Sequence, residues 1–153
     1  MQTPSIRETL AFVRKAHGGA VVRGKPRWLR SMAVMNLLPV VLPGIKVTHE
    51  ERQVALLRDL LRTTAETEAS LLAAGFPEPV VASVLRLTRF DAGFAYLEHL
   101  RVVAESDDLA AKRVAMAALL REEQEGGDTP GEPDERRARR QKALALIRRG
   151  LGY

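Results

Sequence analysis

The chain has 153 residues, of which 46% are hydrophobic and 5% aromatic, and it contains no cysteine. This length suits one domain with a hydrophobic core, and the absence of cysteine excludes disulfides, thiolate metal sites and cysteine nucleophiles. The net charge of +5 hides a segregation, because residues 1–64 and 134–153 are basic whereas residues 65–133 are acidic. Either these segments pack against each other, or the basic N-terminal half lines an anion site.

Capping signals and apolar periodicity predict an all-α fold with about seven or eight helices and no strand. The predicted helices cover residues 5–17, 28–38, 47–64, 66–74, 78–87, 92–103, 107–123 and 134–149. Ser5 with Glu8, and Thr48 with Glu51, have the spacing of a capping box at two helix starts. Pro39 is expected to end the second helix, since proline lacks the N–H that a helix interior needs.

The chain is predicted to form one domain with a basic C-terminal extension. Residues 1–124 would form the helical core, residues 125–133 a flexible linker, and residues 134–153 an amphipathic helix packed on the core. The chain contains no run of about 18 apolar residues, which a membrane span would need. The N-terminus lacks the pattern of a secretion signal. We therefore expect a cytoplasmic protein without membrane contact.

The third predicted helix carries charges inside an apolar run. Arg58, Asp59 and Arg62 follow directly on a stretch of valine, alanine and leucine. Arg58 and Arg62 are four residues apart, so they lie on the same face of a helix and repel each other. Because burying an unpaired charge is unfavourable, an anion is expected beside them, and Asp59 is the local candidate.

A series of short motifs occurs along the chain in the order found in one known family. They are KAHG at 15–18, GKP at 24–26, ERQVALLRD at 51–59, LAAGFP at 72–77, LTR at 87–89, KRV at 112–114 and KALAL at 142–146. In order and spacing they resemble the HD-domain metal phosphohydrolases, in particular the small alarmone (ppGpp) hydrolases and the hydrolase domain of bifunctional alarmone enzymes. The resemblance implies a single HD-domain-like helical bundle.

The resemblance also implies a divalent metal, often manganese, held by a His, a second His, a His-Asp pair and a distant Asp. His17 stands at the first His and Asp59 at the Asp of the pair, but Arg30 and Arg58 stand at the other two His positions and Ala118 at the distant Asp. Arginine is always charged and has no lone pair for a metal. We therefore predict that His17 and Asp59 are remnants of a metal site, that no metal or cofactor is bound, and that there are no catalytic residues.

The primary hypothesis is a catalytically degenerate HD-domain protein that binds a phosphorylated nucleotide, such as ppGpp or GTP, without a metal and acts as a regulator. Arginine clusters suit phosphate groups, and the predicted ligand-binding cations are Arg23, Lys25, Arg30, Arg58 and Arg62.

Two alternatives remain open. In the first alternative the protein is an interaction module and the pocket is purely structural, with Arg58 or Arg30 paired with Asp59 and touching His17. Alternatively, an active phosphohydrolase would use a metal relocated to Glu122 or Glu123.

The C-terminal segment 134–153 is the second region with functional potential. Its predicted apolar side consists of Ala138, Ala143, Leu144 and Ile147, and the remainder is rich in arginine. We expect this helix to dock on the acidic middle segment, or else to contact a protein partner. Nucleic-acid binding is not expected, because stacking aromatics and a nucleic-acid fold signature are absent.

Overall fold

The computed structural model describes residues 3–88, 96–127 and 131–153, which form helices joined by short loops and one small hairpin. The helices are α1 (Ile6–His17), α2 (Arg27–Val41), α3 (His49–Leu57), α4 (Leu60–Thr63), α5 (Glu68–Ala73), α6 (Glu78–Leu87), α7 (Tyr96–Glu105), α8 (Leu109–Gly127) and α9 (Asp134–Gly150). Strands β1 (Val21–Val22) and β2 (Lys25–Pro26) pair antiparallel between α1 and α2. The all-α prediction is confirmed.

Both predicted capping boxes are present. The hydroxyl of Ser5 accepts from the backbone N–H of Glu8 at 3.0 Å, and that of Thr48 accepts from the N–H of Glu51 at 3.1 Å. In each box the glutamate side chain accepts in return from the backbone N–H of the capping residue. These contacts satisfy N–H groups that the first turn of a helix otherwise leaves unpaired.

The predicted central helix is divided in two at Arg58 and Asp59. Helix α3 ends at Leu57, and α4 begins at Leu60. Helix α3 lies at the centre of the core, where Val54 and Leu56 are 0% exposed, and it packs against α1, α2, α6 and α8. Arg58 and Asp59 therefore occupy a fixed position at the end of a buried helix.

Two local predictions were wrong. Helix α2 continues through Pro39 to Val41, which is possible because only one short turn follows the proline and the N–H of Leu42 still reaches the carbonyl of Leu38 at 3.2 Å. The unpredicted hairpin turns at Arg23 and Gly24, whose φ angles are 53° and 77°. Positive φ at both turn positions matches the twist of paired strands, but Arg-Gly is not a typical sequence for such a turn.

The C-terminal half is built from α7, α8 and α9, which enclose a second apolar cluster. Helix α9 buries Ala143, Leu144 and Ile147, whereas Ala138, predicted on the same face, is exposed. Gly150 allows the end of α9 to lie directly against the backbone of Ala104 in α7.

The boundary between core and extension differs from the prediction. Helix α8 extends to Gly127, so residues 125–127 of the predicted linker are helical. The i, i+4 ion pair of Arg121 with the largely buried Glu125 is compatible with this extension. Residues 128–130 and the start of the predicted helix 92–103 lie outside the described residues. Within the described ranges, no helix is long and apolar enough to cross a membrane.

Candidate functional site

The junction of α3 and α4 holds an ion pair between sequence neighbours. The Arg58 Nη1 group donates to Asp59 Oδ2 at 3.2 Å, and the two side chains are 17% and 21% exposed. Burial by itself raises the pKa of Asp59, but Arg58, Arg30, Arg27 and His17 together outweigh that effect and hold the pKa below its ordinary value. Asp59 is therefore an ionised carboxylate surrounded by cations.

His17, the last residue of α1, lies close enough to Asp59 for their charges to interact. It is 6% exposed, and both of its ring nitrogens are buried without a hydrogen-bond partner among the described residues. Burial lowers the pKa of His17, Asp59 opposes that shift, and Arg27 reinforces it, so that the pKa lies below its ordinary value. The imidazole is therefore neutral at pH 7, and neither guanidinium of the structural-pocket alternative hydrogen-bonds to it.

We expect the NMR signals of the His17 ring to titrate with a midpoint below pH 6.5, the ordinary value. Because the pKa of His17 is lower in the folded than in the unfolded protein, its contribution to stability is present above about pH 6.5 and lost as the pH falls through the folded value. Assignment with a His17→Ala variant identifies the signals. A midpoint above 6.5 would show that Asp59 outweighs burial and Arg27.

Three adjoining cavities lie around this junction. Cavity A, of about 150 Å³, is lined by polar and apolar side chains, and the polar ones include Arg58, Asp59, Arg62, His99 and Glu122. Cavity B, of about 290 Å³, is mainly charged, and its cations are Arg23, Arg30, Arg136, Arg139 and Arg140. Cavity C, of about 470 Å³, is lined by Arg23, Lys25, Arg30, Arg121 and Glu125 together with apolar residues.

The cavities share lining residues and therefore adjoin one another. Tyr96 and Glu122 line both A and B, while Arg23, Arg30 and Glu125 line both B and C.

The five cations predicted to bind a ligand are distributed over this region rather than gathered at one point. Arg58 and Arg62 line cavity A, Arg23 and Arg30 line B and C, and Lys25 lines C. A ligand that contacted all of them would have to extend across more than one cavity.

Glu125 is an internal anion for the cations of B and C. Its carboxylate lies 3.3 Å from Arg30 Nε, 3.5 Å from Arg121 Nε and 3.7 Å from Arg23 Nε, and its side chain is 12% exposed. The sequence analysis did not predict a role for Glu125 because it assigned the residue to a linker. Its i, i+4 spacing from Arg121 was the signal that could have extended the predicted helix 107–123. Arg30 is thus bound to Glu125 instead of forming the Asp59 pair of the structural-pocket alternative.

Helix α9 contributes arginines to cavity B, which the sequence did not indicate. The Arg139 guanidinium lies 5.2 Å from the centre of the Tyr96 ring, a cation–π distance. Arg140 is 5% exposed and is bonded to Glu123, with Nε to Oε2 at 2.5 Å, and to Glu132. Through these bonds Arg140 of α9 is connected to Glu123 of α8 and to Glu132, which precedes α9.

Glu122 lines both A and B and differs from the other carboxylates of the region. Burial raises its pKa, an effect that Arg58 and Arg30 partly offset. Within residues 3–88, 96–127 and 131–153, its carboxylate makes no hydrogen bond or ion pair. By contrast, Asp59 forms an ion pair with Arg58, Glu125 with three arginines, and Glu132 with Arg140.

Comparison with solved structures relates this arrangement to a known protein. The chain is similar to a metazoan ortholog of SpoT that hydrolyzes ppGpp and plays a role in starvation responses, with a TM-score of 0.76. The match covers 97% of this chain and 89% of that chain at 20% sequence identity. The chain has the fold of an HD-domain ppGpp hydrolase. No protein-family model and no curated protein sequence matches it.

The HD-domain ppGpp hydrolase fold implies a metal, but the described residues do not fit one. A catalytic metal needs several nitrogen or oxygen donors at one point, and no group of three His, Cys, Asp or Glu side chains comes together in the described ranges. Asp59 is paired with Arg58, and Ala118 beside them in cavity A offers no donor. Relocation to Glu123 also finds no support, since that carboxylate is bonded to Arg140.

Proposed function

We propose that this protein binds a phosphorylated nucleotide, such as ppGpp or GTP, without a metal and without hydrolysing it, and that binding serves regulation. The observation that carries the proposal is Arg58: on an HD-domain ppGpp hydrolase fold, a guanidinium paired with Asp59 occupies the centre where the resemblance expects a metal ligand. Guanidinium groups bind phosphate oxygens directly, so that phosphate recognition survives the loss of metal chemistry.

Several cations of the adjoining cavities are available to an anionic ligand. Arg62 in cavity A, Arg136 in B and Lys25 in C are exposed, and none of the three forms an ion pair within the described residues. They lie in different cavities, which suits a ligand with phosphate groups at more than one position. Cavity A also has apolar walls from Leu100 and Leu119, as expected for a pocket that holds a flat base.

A protein that binds such a nucleotide without cleaving it would act as a sensor or would sequester the nucleotide. We further propose that the protein is located in the cytoplasm, which cell fractionation would test.

The matched pair Arg62→Ala and Arg52→Ala tests the proposal. Arg52 is exposed on α3 and lines none of the three cavities, so its loss removes one charge without touching the site. In calorimetric titrations of GDP, GTP and ppGpp with chelator present, we expect Arg62→Ala to weaken binding about tenfold, the effect of losing one charge-assisted hydrogen bond. Arg52→Ala should bind like the wild type. A wild-type protein that binds none of the three nucleotides would refute the proposal.

A second candidate function is a protein-interaction module. It is favoured by the internal pairing of Arg58 with Asp59 and of Arg30 with Glu125, which fills part of the site with the protein's own anions. The exposed basic side of α9, with Arg137, Lys142 and Arg148, would then meet an acidic protein. Under this reading no nucleotide binds, and the titration above separates the two.

A further inference from the structure

The ends of α2, α7 and α9 meet the start of α8 at the end of the bundle away from cavities B and C. Arg30, near the start of α2, lies 3.3 Å from Glu125, near the end of α8, so these two packed helices run antiparallel. The end of α9 reaches the start of α8, because Lys112 Nζ donates to the Gly150 carbonyl at 3.0 Å. Gly150 in turn lies against Ala104 of α7. We call this surface the distal face.

Exposed apolar side chains are concentrated at the distal face. Soluble monomers keep few large apolar groups exposed in one place, so such a concentration indicates a contact surface. Tyr153 is 64% exposed and Val40 69%, although both lie directly beside a packed helix end. Within the described ranges, five of the seven exposed large apolar side chains lie on or next to this face, namely Val40, Ile45, Val102, Leu109 and Tyr153.

A mainly apolar cavity adjoins the distal face at the starts of α3, α6 and α8. This cavity D, of about 250 Å³, lies next to the exposed Leu109, and its walls include Val54, Val80 and Ala110 together with the carboxylate of Glu50. A void of about 150 Å³ is enough to hold a benzene ring. Cavity D can therefore hold one aromatic side chain, and Glu50 would accept a hydrogen bond from a hydroxyl on that ring.

Opposite charges lie on opposite sides of the distal face. Helix α8 contributes to both apolar clusters, with α3 in the first and α9 in the second, so α3 and α9 lie on different sides of it. Glu50 at the start of α3 and the pair Arg148 and Arg149 at the end of α9 are exposed, and none of them forms an ion pair within the described residues. A two-fold axis through such a face places the acidic side of one copy on the basic side of the other, twice.

We propose that two copies of this chain form a symmetric dimer through the distal face, in which Tyr153 of each copy enters cavity D of the other. Tyr153 lies on the basic side and cavity D on the acidic side, so the two-fold axis that pairs the charges also brings ring and cavity together. A second copy fits this face better than a partner of one charge, because the face carries both signs. The dimer leaves cavities B and C accessible, and it does not depend on the proposed function.

Sedimentation equilibrium over a range of protein concentrations tests the dimer. The wild type should reach twice the chain mass, and Tyr153→Ala and Leu109→Asp should each weaken the dimer at least about tenfold, as expected for an anchor residue of an interface. Val21→Asp is the matched control. It places the same charge on an apolar side chain that is 59% exposed, but on the hairpin that precedes α2, and it should dimerise like the wild type.

A charge exchange tests the two-fold arrangement. Glu50→Arg and Arg148→Glu should each weaken the dimer, because each variant brings like charges together at both contacts. An equimolar mixture of the two variants should form a 1:1 dimer, since both contacts then join opposite charges. A mixture that stays monomeric would overturn the arrangement, and so would a dimer that survives in a folded Tyr153→Ala protein. A wild-type protein that remains monomeric up to about 1 mM would overturn the proposal without any variant.

Discussion

Asp59→Ala is expected to lower the free energy of unfolding by about 3 kcal/mol, since it removes the carboxylate that neutralises Arg58 and leaves a partly buried cation. This is the lower end of the range for breaking a buried ion pair, because both side chains keep about a fifth of their surface exposed. Urea unfolding at pH 7 measures the effect. Asp107→Ala, which removes an exposed aspartate in the loop before α8, is the control and should change little.

The double variant Arg58→Ala/Asp59→Ala isolates the interaction. If Asp59 acts by neutralising Arg58, the double variant should be more stable than the sum of the two single effects predicts. A folded Asp59→Ala protein as stable as the wild type would contradict this account of the junction.

The pH dependence of the Asp59 effect has a defined sign. The folded protein holds the pKa of Asp59 below its ordinary value of 3.8, so the group contributes stability above its unfolded pKa and loses it as the pH falls through the lower folded pKa. The difference between wild type and Asp59→Ala should therefore be complete at neutral pH and shrink below about pH 4.

Glu125→Gln is expected to destabilise the protein by about 2–3 kcal/mol and, at the same time, to increase the stabilisation that an anion provides. The substitution keeps the shape of the side chain but leaves Arg23, Arg30 and Arg121 without their shared carboxylate. Bound phosphate or GDP would then supply the negative charge that the Glu125 carboxylate supplies in the wild type. The measurement is the rise in Tm with added phosphate, compared between variant and wild type.

The control for Glu125→Gln is Glu135→Gln, which alters an exposed glutamate in the first turn of α9. It should leave both the Tm and the response to phosphate close to those of the wild type. A Glu125→Gln protein that responds to phosphate no more strongly than the wild type would show that the three arginines do not form an anion site.

Local signals in the sequence predicted most of the helices and the charges at Arg58 and Asp59, but not the helix break between α3 and α4. The capping boxes at Ser5 and Thr48 and the apolar run before Arg58 depend on residues within a turn or two, and the structure confirms them. The fold resemblance also came from the order of short motifs and is confirmed by the match to the ppGpp hydrolase.

Contacts between distant parts of the chain could not be predicted in the same way. Arg23 and Glu125 are about a hundred residues apart in sequence and meet only because the hairpin and the end of α8 lie side by side. Arg139 reaches Tyr96 only because α9 packs on α7. Neither spacing nor composition shows which of many arginines meets which glutamate. The sequence therefore indicated a cationic region but not its distribution over three cavities.

The most direct test of the central claim is a thermal-shift measurement of metal-stripped protein with ppGpp, with and without added Mn²⁺, together with an assay for released phosphate products. A ligand at about 100 times its Kd adds roughly 2.7 kcal/mol of stability, which shifts Tm visibly. We predict the same shift with and without Mn²⁺ and no released product. A shift that requires Mn²⁺ and is accompanied by product release would contradict it, because the protein would then be a metal-dependent hydrolase.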